Sequence, residues 1–433
     1  MNRRSYLLPF ILITSLFFLW GFAHNLDPIL IPHLKKSFTL TTTQSTLVDS
    51  AVFIAYFLMA LPAGFIMKRF GYKSGIITGL LFFAVGCFLF IPAANTQSYS
   101  FFLFALFVIA CGLTILETAA NPYAASLGAP ETSTQRLNLA QSFNGLAAFL
   151  APVIGARVIF TKGYTDAELN VMSEQAKKIA LATEASSVKT PYLILGAVLV
   201  LIAVVFAFTK LPKIQNTETK NRSKSIFHAF KHRHLTWAVI AQFFYIGAQV
   251  SVFSLFILYA TKSAGIGEIK AADYLGACGL AFLIGRFSGT FLMQFIAPQR
   301  LLAIYAFINV LLCIVAMAAH GIITVYTVIG ICFFMSIMFP TIFSLGIKGL
   351  GADTEYGSSL IIMSIVGGAI LPRLYGLISD ASSDIQTGYI IPLICFLFVL
   401  YFGLKGYKPK GNYGQKIFPG YESKQRSGIT TAV

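Results

Sequence analysis

The sequence predicts an all-α integral membrane protein, with twelve transmembrane helices arranged as two six-helix bundles. Three observations lead to this prediction. The chain of 433 residues is 57% hydrophobic and only 11% charged, and its mean hydropathy of +0.76 is far from the balance of a water-soluble domain. Apolar runs long enough to span a bilayer recur along the chain. A polar segment divides these runs into two sets of six.

Each apolar run covers about 20 residues, the length that a helix needs to cross ~30 Å of hydrocarbon. The runs are bounded by Lys or Arg, by Gly or Pro, or by short polar stretches. The predicted helices cover residues 8–33, 47–67, 74–94, 100–128, 138–160, 190–209, 235–261, 271–297, 300–319, 322–347, 356–379 and 388–404.

The two halves are related by a short repeated pattern. P-x-x-x-S-L-G occurs at Pro122 to Gly128 in the fourth run and again at Pro340 to Gly346 in the tenth. Related sequence therefore lies at the corresponding helix of each half, as parallel repeats require. The expected units are an N-terminal bundle over 1–209, a cytoplasmic central loop over 210–233, a C-terminal bundle over 234–404 and a cytoplasmic tail over 405–433.

The first run, MNRRSYLLPFILITSLFFLWGFA, has the basic start and small residues of a secretory signal peptide. Its apolar character continues to Pro32, however, and this favours an uncleaved first transmembrane helix. With the N-terminus in the cytoplasm, 21 Lys and Arg lie in inside segments and nine in outside segments. The positive-inside rule then predicts cytoplasmic N- and C-termini. We expect a multi-pass protein of the bacterial inner membrane.

The net charge of +16 raises the question of a nucleic-acid partner. Most basic residues flank apolar runs, where they meet anionic headgroups, so we expect membrane lipid as a partner and no nucleic acid. The histidines of FHAFKHRH lack a Cys or carboxylate at ligand spacing, and a basic juxtamembrane segment is favoured over a metal site. The six cysteines fall inside apolar runs without a disulfide framework. We predict a monomer with no cofactor and no metal.

Polar side chains inside the predicted helices are few, and they mark the place where two facing bundles would bind a solute. Glu117 and Asn121 are four residues apart and share one face of the fourth helix. Pro122 follows directly and, because it lacks a backbone donor, frees a carbonyl one turn back.

Two further polar stripes lie on the fifth and seventh predicted helices. Their members are Asn138, Gln141 and Asn144 on the fifth and Gln242, Tyr245 and Gln249 on the seventh. Amides and phenols hydrogen-bond hydroxyls, which suits a sugar. An anionic solute would call for Lys or Arg, and only Arg286 and Arg373 lie within the spans. Alternatively, the amides join helices across the bundle. Aromatic rings that could stack on the apolar face of a pyranose are Trp20, Phe22, Tyr245 and Phe339.

Glu117 is a candidate for coupling a proton to the solute. A carboxylate in hydrocarbon is costly to leave ionised, so we expect Glu117 to carry a proton near neutral pH. A protonated carboxyl both donates and accepts hydrogen bonds, which links proton occupancy to solute binding, as a proton symporter requires. The alternative is a buried carboxyl that is paired for packing.

The stretch WGFAHNLDPIL places Asn25, Asp27 and Pro28 in the otherwise apolar first run. Asn25 and Asp27 are two residues apart, so a regular helix would point them to different sides. Pro28 and Pro32 make a regular helix unfavourable here. A broken helix with free carbonyls beside a carboxylate is a candidate site for a proton or a sodium ion.

Several motifs together resemble the fucose/galactose/glucose:proton symporter family of the major facilitator superfamily. The motifs are LETAANPY, RLNLAQSFN, AQFFYIGAQ, IGRFSGT and PTIFSLGIK, and the resemblance runs from about Tyr6 to Leu404. It implies that Glu117 helps to bind sugar and couple protons, that Gln141 and Asn144 line the sugar cavity, and that Asn25 is the first-helix amide of the site.

The sequence departs from the family pattern at three places. Lys68 stands in GFIMKRFGYK where an acid is usual in the superfamily, and Pro28 takes the place of the family's first-helix aspartate, with Asp27 one residue earlier. Met338 and Phe339 replace a Gln-Tyr pair of the tenth helix. The second departure leaves open whether Asp27 is the coupling acid, and the third leaves open which sugar is bound.

Taken together, the residues and the resemblance predict a secondary active transporter that imports a monosaccharide by proton symport with alternating access. L-Fucose is the first candidate, and glucose or galactose, with sodium as a further coupling ion, is the alternative. A sugar sensor that does not transport is a remoter alternative. The chain lacks the H-E-x-x-H and G-x-S-x-G motifs of membrane enzymes, so we predict no enzymatic activity.

Overall fold

The computed structural model describes residues 4–25, 34, 37–38, 47–159, 171–212 and 226–409. These residues form helices joined by short connections, and no strand occurs among them. Their apolar length is what makes them helical, because a backbone in lipid must satisfy its hydrogen bonds within its own segment. Ten helices of the described part are long and apolar enough to cross a membrane, and the first helix contributes a shorter apolar segment, Leu8–Ala23. The protein is a multi-pass integral membrane protein.

The N-terminal half contains six long helices. They are α1 (Arg4–His24), α2 (Leu47–Phe70), α3 (Tyr72–Thr96), α4 (Tyr99–Ser126), α5 (Ser133–Ile159) and α6 (Lys189–Phe208). A shorter helix, Glu174–Ser186, precedes α6 and lies against α3. The predicted first helix extended to residue 33, whereas α1 ends at His24 and residues 26–33 lie outside the described part of the chain.

The C-terminal half contains six more, and several of these are interrupted. They are α7 (Arg233–Ser254, continued by Phe256–Ala264), α8 (Glu268–Leu292), α9 (Pro298–Ala318), α10 (Ile322–Met335 and Met338–Gly346), α11 (Thr354–Met363 and Gly367–Ser382) and α12 (Ile390–Tyr401, ending in a π-turn over Phe402–Gly406). The sequence predicted α10 and α11 as continuous, because apolar length alone does not show such breaks.

Helix packing brings the polar helices of the two halves together. Within the N-terminal half, α4 packs on α2 and α3, and α1 packs on α5. The halves meet where α2, α4 and α5 contact α8, α10 and α11. The two helices α4 and α5, which carry the polar residues predicted from the fourth and fifth apolar runs, therefore lie against the other half of the molecule.

Hydrogen bonds between the halves gather at one end of the helices, which we call the basic end. It carries the connections at Gly71, 127–132, 293–297 and 347–353. The Thr134 and Ser344 hydroxyls lie 2.9 Å apart there, and the Asn138 amide donates to the Thr341 hydroxyl at 3.2 Å. These contacts join α5 to the second part of α10.

The carbonyl freed by Pro122 also takes part in this contact. It belongs to Thr118, four residues earlier, and it accepts a 2.7 Å hydrogen bond from the Ser358 hydroxyl of α11. Close by, α2 approaches α11 so tightly that a Cβ built on Gly64 would lie 2.1 Å from the Ser359 hydroxyl oxygen. The predicted break in the α4 hydrogen-bond ladder is thus filled by a side chain from the other half.

The histidines that the sequence analysis considered for a metal site make their contacts within the C-terminal half. His228 and His232 lie 2.9 and 3.1 Å from the same carboxylate oxygen of Asp353, and His234 lies 2.9 Å from the Lys348 carbonyl. The described residues hold no group of three or more His, Cys, Asp or Glu side chains arranged for a metal. All six cysteines are buried and free.

Candidate functional site

Glu117 lies on α4 near the middle of the helix and is 9% exposed. The Tyr56 hydroxyl of α2 donates a hydrogen bond to its carboxyl. The oxygen Oε2 is buried and has no hydrogen-bond partner among the described residues. A carboxyl with one bound oxygen and one open oxygen can exchange a proton and still hydrogen-bond a solute.

Asn121 connects Glu117 to α5. Its amide nitrogen donates to the backbone carbonyl of Glu117 at 2.9 Å, and its oxygen accepts from the Gln141 side chain at 2.9 Å. Asn121 is fully buried and Gln141 is 4% exposed. The four-residue spacing predicted that Asn121 shares a face with Glu117, and the structure places them in direct contact.

Arg286 extends this line into the other half. Its Nη1 donates to the Gln141 backbone carbonyl at 2.8 Å, and its Nε donates to the Ser336 carbonyl at 2.9 Å. Ser336 lies in the break of α10, where a carbonyl is left without its helical partner. The guanidinium also lies 4.6 Å from the centre of the Phe282 ring. Arg286 therefore links α5, α8 and the break of α10.

The α7 residues lie deep in the C-terminal half. Tyr245 is fully buried. Its hydroxyl lies close enough to the Arg286 guanidinium to interact with its charge, and it lies beside the backbone of Phe339. Gln242 is also fully buried, and neither its Nε2 nor its Oε1 has a hydrogen-bond partner among the described residues. Gln249, two turns further along, is half-buried. Phe339 is 8% exposed and stacks on Phe343.

Asn25 and Asn144 meet at Gly21 of α1. The Asn25 amide donates to the Gly21 carbonyl at 2.7 Å. On the same residue, a built Cβ would lie 2.6 Å from the Asn144 amide nitrogen. Only glycine allows this approach of α1 to α5. Asp27 lies outside the described residues, so its position relative to this pair is not part of the structure.

The three polar residues of α5 contact three different helices instead of lining one surface. Asn138 contacts α10, Gln141 contacts α4 and Asn144 contacts α1. A spacing of three residues falls about 60° short of a full turn, so the direction drifts by about 120° over the stripe. Asn138 thus joins the halves through its amide nitrogen, although its Oδ1 has no partner among the described residues.

Two residues of this arrangement were missed as site candidates. Tyr56 sits in the apolar run of α2, and its position relative to Glu117 depends on packing that the sequence does not reveal. Arg286 was noted only as a candidate for an anionic solute. A single arginine in an otherwise apolar run itself indicates a buried polar site, because a buried cation needs several hydrogen-bond acceptors around it.

Two bundles joined by a line of buried polar groups near the middle of their helices define a membrane transporter. The sequence profile of the Major Facilitator Superfamily matches residues 10–370. The chain belongs to the Major Facilitator Superfamily. As predicted from the sequence, it is a transporter and not an enzyme.

Two relatives with nearly the same sequence identity to this chain are named for different sugars. The chain is 43% identical over 409 residues to the L-fucose-proton symporter of Escherichia coli (strain K12), covering 93% of each chain. It is 42% identical to a glucose/galactose transporter of Brucella abortus, covering 94% of this chain and 96% of that protein. The structure superposes with a TM-score of 0.86 on the crystal structure of a transporter of this superfamily, FucP, in the outward conformation. That comparison has 42% identity and covers 92% of this chain and 98% of the other.

Proposed function

We propose that the protein imports a monosaccharide together with a proton, and that both bind between the two bundles. The observation that carries this proposal is the polar line from Glu117 through Asn121 and Gln141 to Arg286. At one end of this line Oε2 of Glu117 has no hydrogen-bond partner among the described residues, and in the other half the same holds for both amide atoms of the buried Gln242. The symporter relatives support the same class of function.

The chemistry of the line favours a neutral, hydroxyl-bearing solute. Amide and carboxyl groups supply both donors and acceptors for hydroxyls. Arg286 already donates through Nε and Nη1 to two backbone carbonyls, and Arg373 is exposed on α11. Neither arginine is arranged for the two-point recognition of an anion.

L-Fucose is the first candidate substrate, because the symporter of Escherichia coli is 43% identical over nearly its full length. Glucose or galactose is the second, because the Brucella abortus transporter is 42% identical. The binding residues that we assign are Asn25, Glu117, Asn121, Gln141, Asn144, Gln242, Tyr245, Gln249 and Phe339. The near-equal identities mean that competition between sugars must decide the order.

Glu117 is the proposed coupling carboxyl, and Asp27 is the proposed second titrating group. Glu117 is buried with an open oxygen, and Asp27 follows Asn25 in the sequence beside two prolines. Sodium, bound by Asp27 and freed carbonyls, is the alternative coupling ion. Uptake that follows a sodium gradient at fixed pH would support sodium, and uptake that is indifferent to sodium would exclude it.

In the proposed cycle the units 1–209 and 234–404 rock about the polar line. The contacts at the basic end close the molecule there, and the similarity to a structure in the outward conformation supports this state. We assign the basic end, with both termini, to the cytoplasmic face of a bacterial inner membrane, where its Lys and Arg side chains would meet anionic lipid. A monomer suffices for this cycle.

The decisive experiment is uptake of radiolabelled L-fucose into proteoliposomes under an inward proton gradient, with unlabelled galactose and glucose as competitors. Native protein and Asp27→Asn are compared, each with counterflow exchange measured in the absence of a gradient. We expect gradient-driven uptake by native protein, and exchange without accumulation by Asp27→Asn. Native protein that takes up no L-fucose, and no galactose or glucose when each is supplied radiolabelled in the same assay, would overturn the proposal.

A further inference from the structure

The hydrogen bond between Tyr56 and Glu117 joins two helices of the same bundle. Tyr56 is 4% exposed on α2, and Glu117 is 9% exposed on α4. The two helices pack closely along their lengths. Because Oε2 of Glu117 has no partner among the described residues, the Tyr56 hydroxyl is left with Oε1.

We propose that Tyr56 is a positioning residue for the coupling carboxyl: its hydroxyl holds Oε1 of Glu117 and leaves Oε2 for the proton and the solute. The proposal deepens the proposed function and rests on it for the identity of the coupled solute. It assigns a role to a side chain that would otherwise be one more buried aromatic ring of α2.

The location of the bond within one bundle is the first argument. Contacts such as Ser358 to the Thr118 carbonyl join the two halves, so they must break when the halves separate at the basic end. The Tyr56 bond does not cross between the halves. It can therefore keep the carboxyl in one orientation on both sides of the transport cycle.

The second argument is the direction of the bond. A hydroxyl that donates to a carboxylate stabilises the ionised form, and its effect is large where water is scarce. Without the donor, a buried carboxylate would hold its proton too firmly to release it in each cycle. Tyr56 therefore makes deprotonation of Glu117 accessible without supplying a positive charge that would compete for the proton.

Other titratable groups on the helices around Glu117 are placed differently. Glu355 on α11 is hydrogen-bonded to Tyr72 of α3, and Arg286 of α8 is bonded to backbone carbonyls. Among the described residues, Tyr56 is the titratable group that is hydrogen-bonded to the Glu117 side chain. The helices that pack on α4 also carry Arg4, Tyr6 and His24 on α1, Asp49, Lys68 and Arg69 on α2, Lys73 and Cys87 on α3, Arg136 and Arg157 on α5, and Tyr356, Arg373, Tyr375 and Asp380 on α11. On α4 itself the others are Tyr99, Cys111 and Tyr123.

The test is an infrared titration of the purified full chain, in which the carbonyl stretch of protonated Glu117 is identified by its loss in Glu117→Gln. This readout needs no sugar. Tyr56→Phe should move the titration midpoint upward by about 1 pH unit, because a hydrogen bond to the ionised form is lost. Incorporation of 3-fluorotyrosine at position 56, a stronger donor, should move it downward. An unchanged midpoint in both variants would overturn the proposal.

Two controls separate positioning from general damage. Tyr259→Phe removes the hydroxyl of another buried tyrosine, which donates to the Ala316 carbonyl at 2.6 Å, and should leave the midpoint unchanged. In a Glu117→Leu background, where position 117 has no oxygen for Tyr56 to hold, Tyr56→Phe should have no further effect on sugar binding. An additional loss there would mean that Tyr56 acts independently of Glu117 and would contradict the proposal. Failure of native protein to transport sugar, with the infrared shift still present, would overturn the proposed function alone.

Discussion

The basic end and the middle of the molecule both bring polar side chains of the two halves together, yet they use them differently. At the basic end, side chains bond directly across the interface, as in the Thr134 and Ser344 hydroxyls and in the Asn138 amide with the Thr341 hydroxyl. Near the middle, both amide atoms of Gln242 and Oε2 of Glu117 have no hydrogen-bond partner in the described part of the chain. The difference indicates two roles: the paired groups of the basic end hold the two halves together, and the unpaired groups near the middle are available to bind a solute. Four substitutions test these two roles.

The largest effect is expected from Glu117→Gln, which keeps the shape of the side chain and removes its titration. Uptake driven by a proton gradient should be abolished, because the amide cannot gain or lose the proton. Counterflow exchange should persist, because the amide still donates and accepts hydrogen bonds. The measurement is sugar uptake and exchange in the same proteoliposomes, and loss of both activities in a folded variant would speak against a coupling role.

Gln242→Leu should weaken sugar binding by about tenfold, since a hydrogen-bonding group of the site is lost. It should also raise the free energy of unfolding by about 1 kcal/mol, because an unpaired buried amide is replaced by an apolar group. Sugar titration and thermal unfolding in detergent measure the two effects.

Asn309→Leu is the matched control for Gln242→Leu. Asn309 is also a buried amide, and its Oδ1 has no hydrogen-bond partner among the residues that the structure describes. It lies on α9, however, and its amide nitrogen donates to the Ile331 carbonyl. This variant should bind sugar like the native protein. Equal sugar binding by Gln242→Leu and the native protein would remove Gln242 from the site.

Ser358→Ala should loosen the contact between the two halves beside the candidate site. It removes the hydrogen bond to the Thr118 carbonyl, a net change of about 1 kcal/mol, and should increase the population in which this contact is open about fivefold. Hydrogen–deuterium exchange of 338–346 and 354–363 would report the opening. Ser251→Ala is the control, because its buried hydroxyl donates within its own helix, α7, to the Gly247 carbonyl. If both variants exchange alike, the cross-half bond has no part in closure.

The smallest effect is expected from Glu131→Gln at the basic end. Burial lowers the pKa of Lys348, and the nearby Glu131 of the other half opposes that shift. Because the folded-state pKa is lowered, the cost of burying charged Lys348 is present at neutral pH and fades as the pH rises through the lysine titration. Loss of Glu131 should therefore reduce stability by at most about 0.5 kcal/mol at neutral pH and low salt.

The effect of Glu131→Gln should disappear in concentrated salt and at strongly alkaline pH, where screening or loss of the lysine charge removes the attraction. Thermal unfolding at two salt concentrations measures it. Glu174→Gln, on the short helix before α6, is the control. A salt-independent loss of stability would point to a structural role for Glu131 instead.

The sequence predicted the membrane fold and its helix count well, because apolar length is a direct physical requirement of a bilayer. It also predicted the freed carbonyl near Pro122. It could not predict that Ser358, 240 residues later, would fill that position, because such pairs are set by packing. The same limit applies to Tyr56 and Glu117. The three polar residues of α5 were predicted to share one stripe, whereas a drift of about 120° around the helix directs them to three different helices.

The burial of all six cysteines has a practical consequence. Bulky, membrane-impermeant maleimides should find little native background to label. A single cysteine could be introduced at the exposed Thr132 of the basic end, or at the exposed Asn95 near the opposite end. A maleimide added to one side of a cell or vesicle would then label that cysteine only if it lies on the same side. The side of the membrane on which each end lies can therefore be determined by labelling, without first replacing the native cysteines.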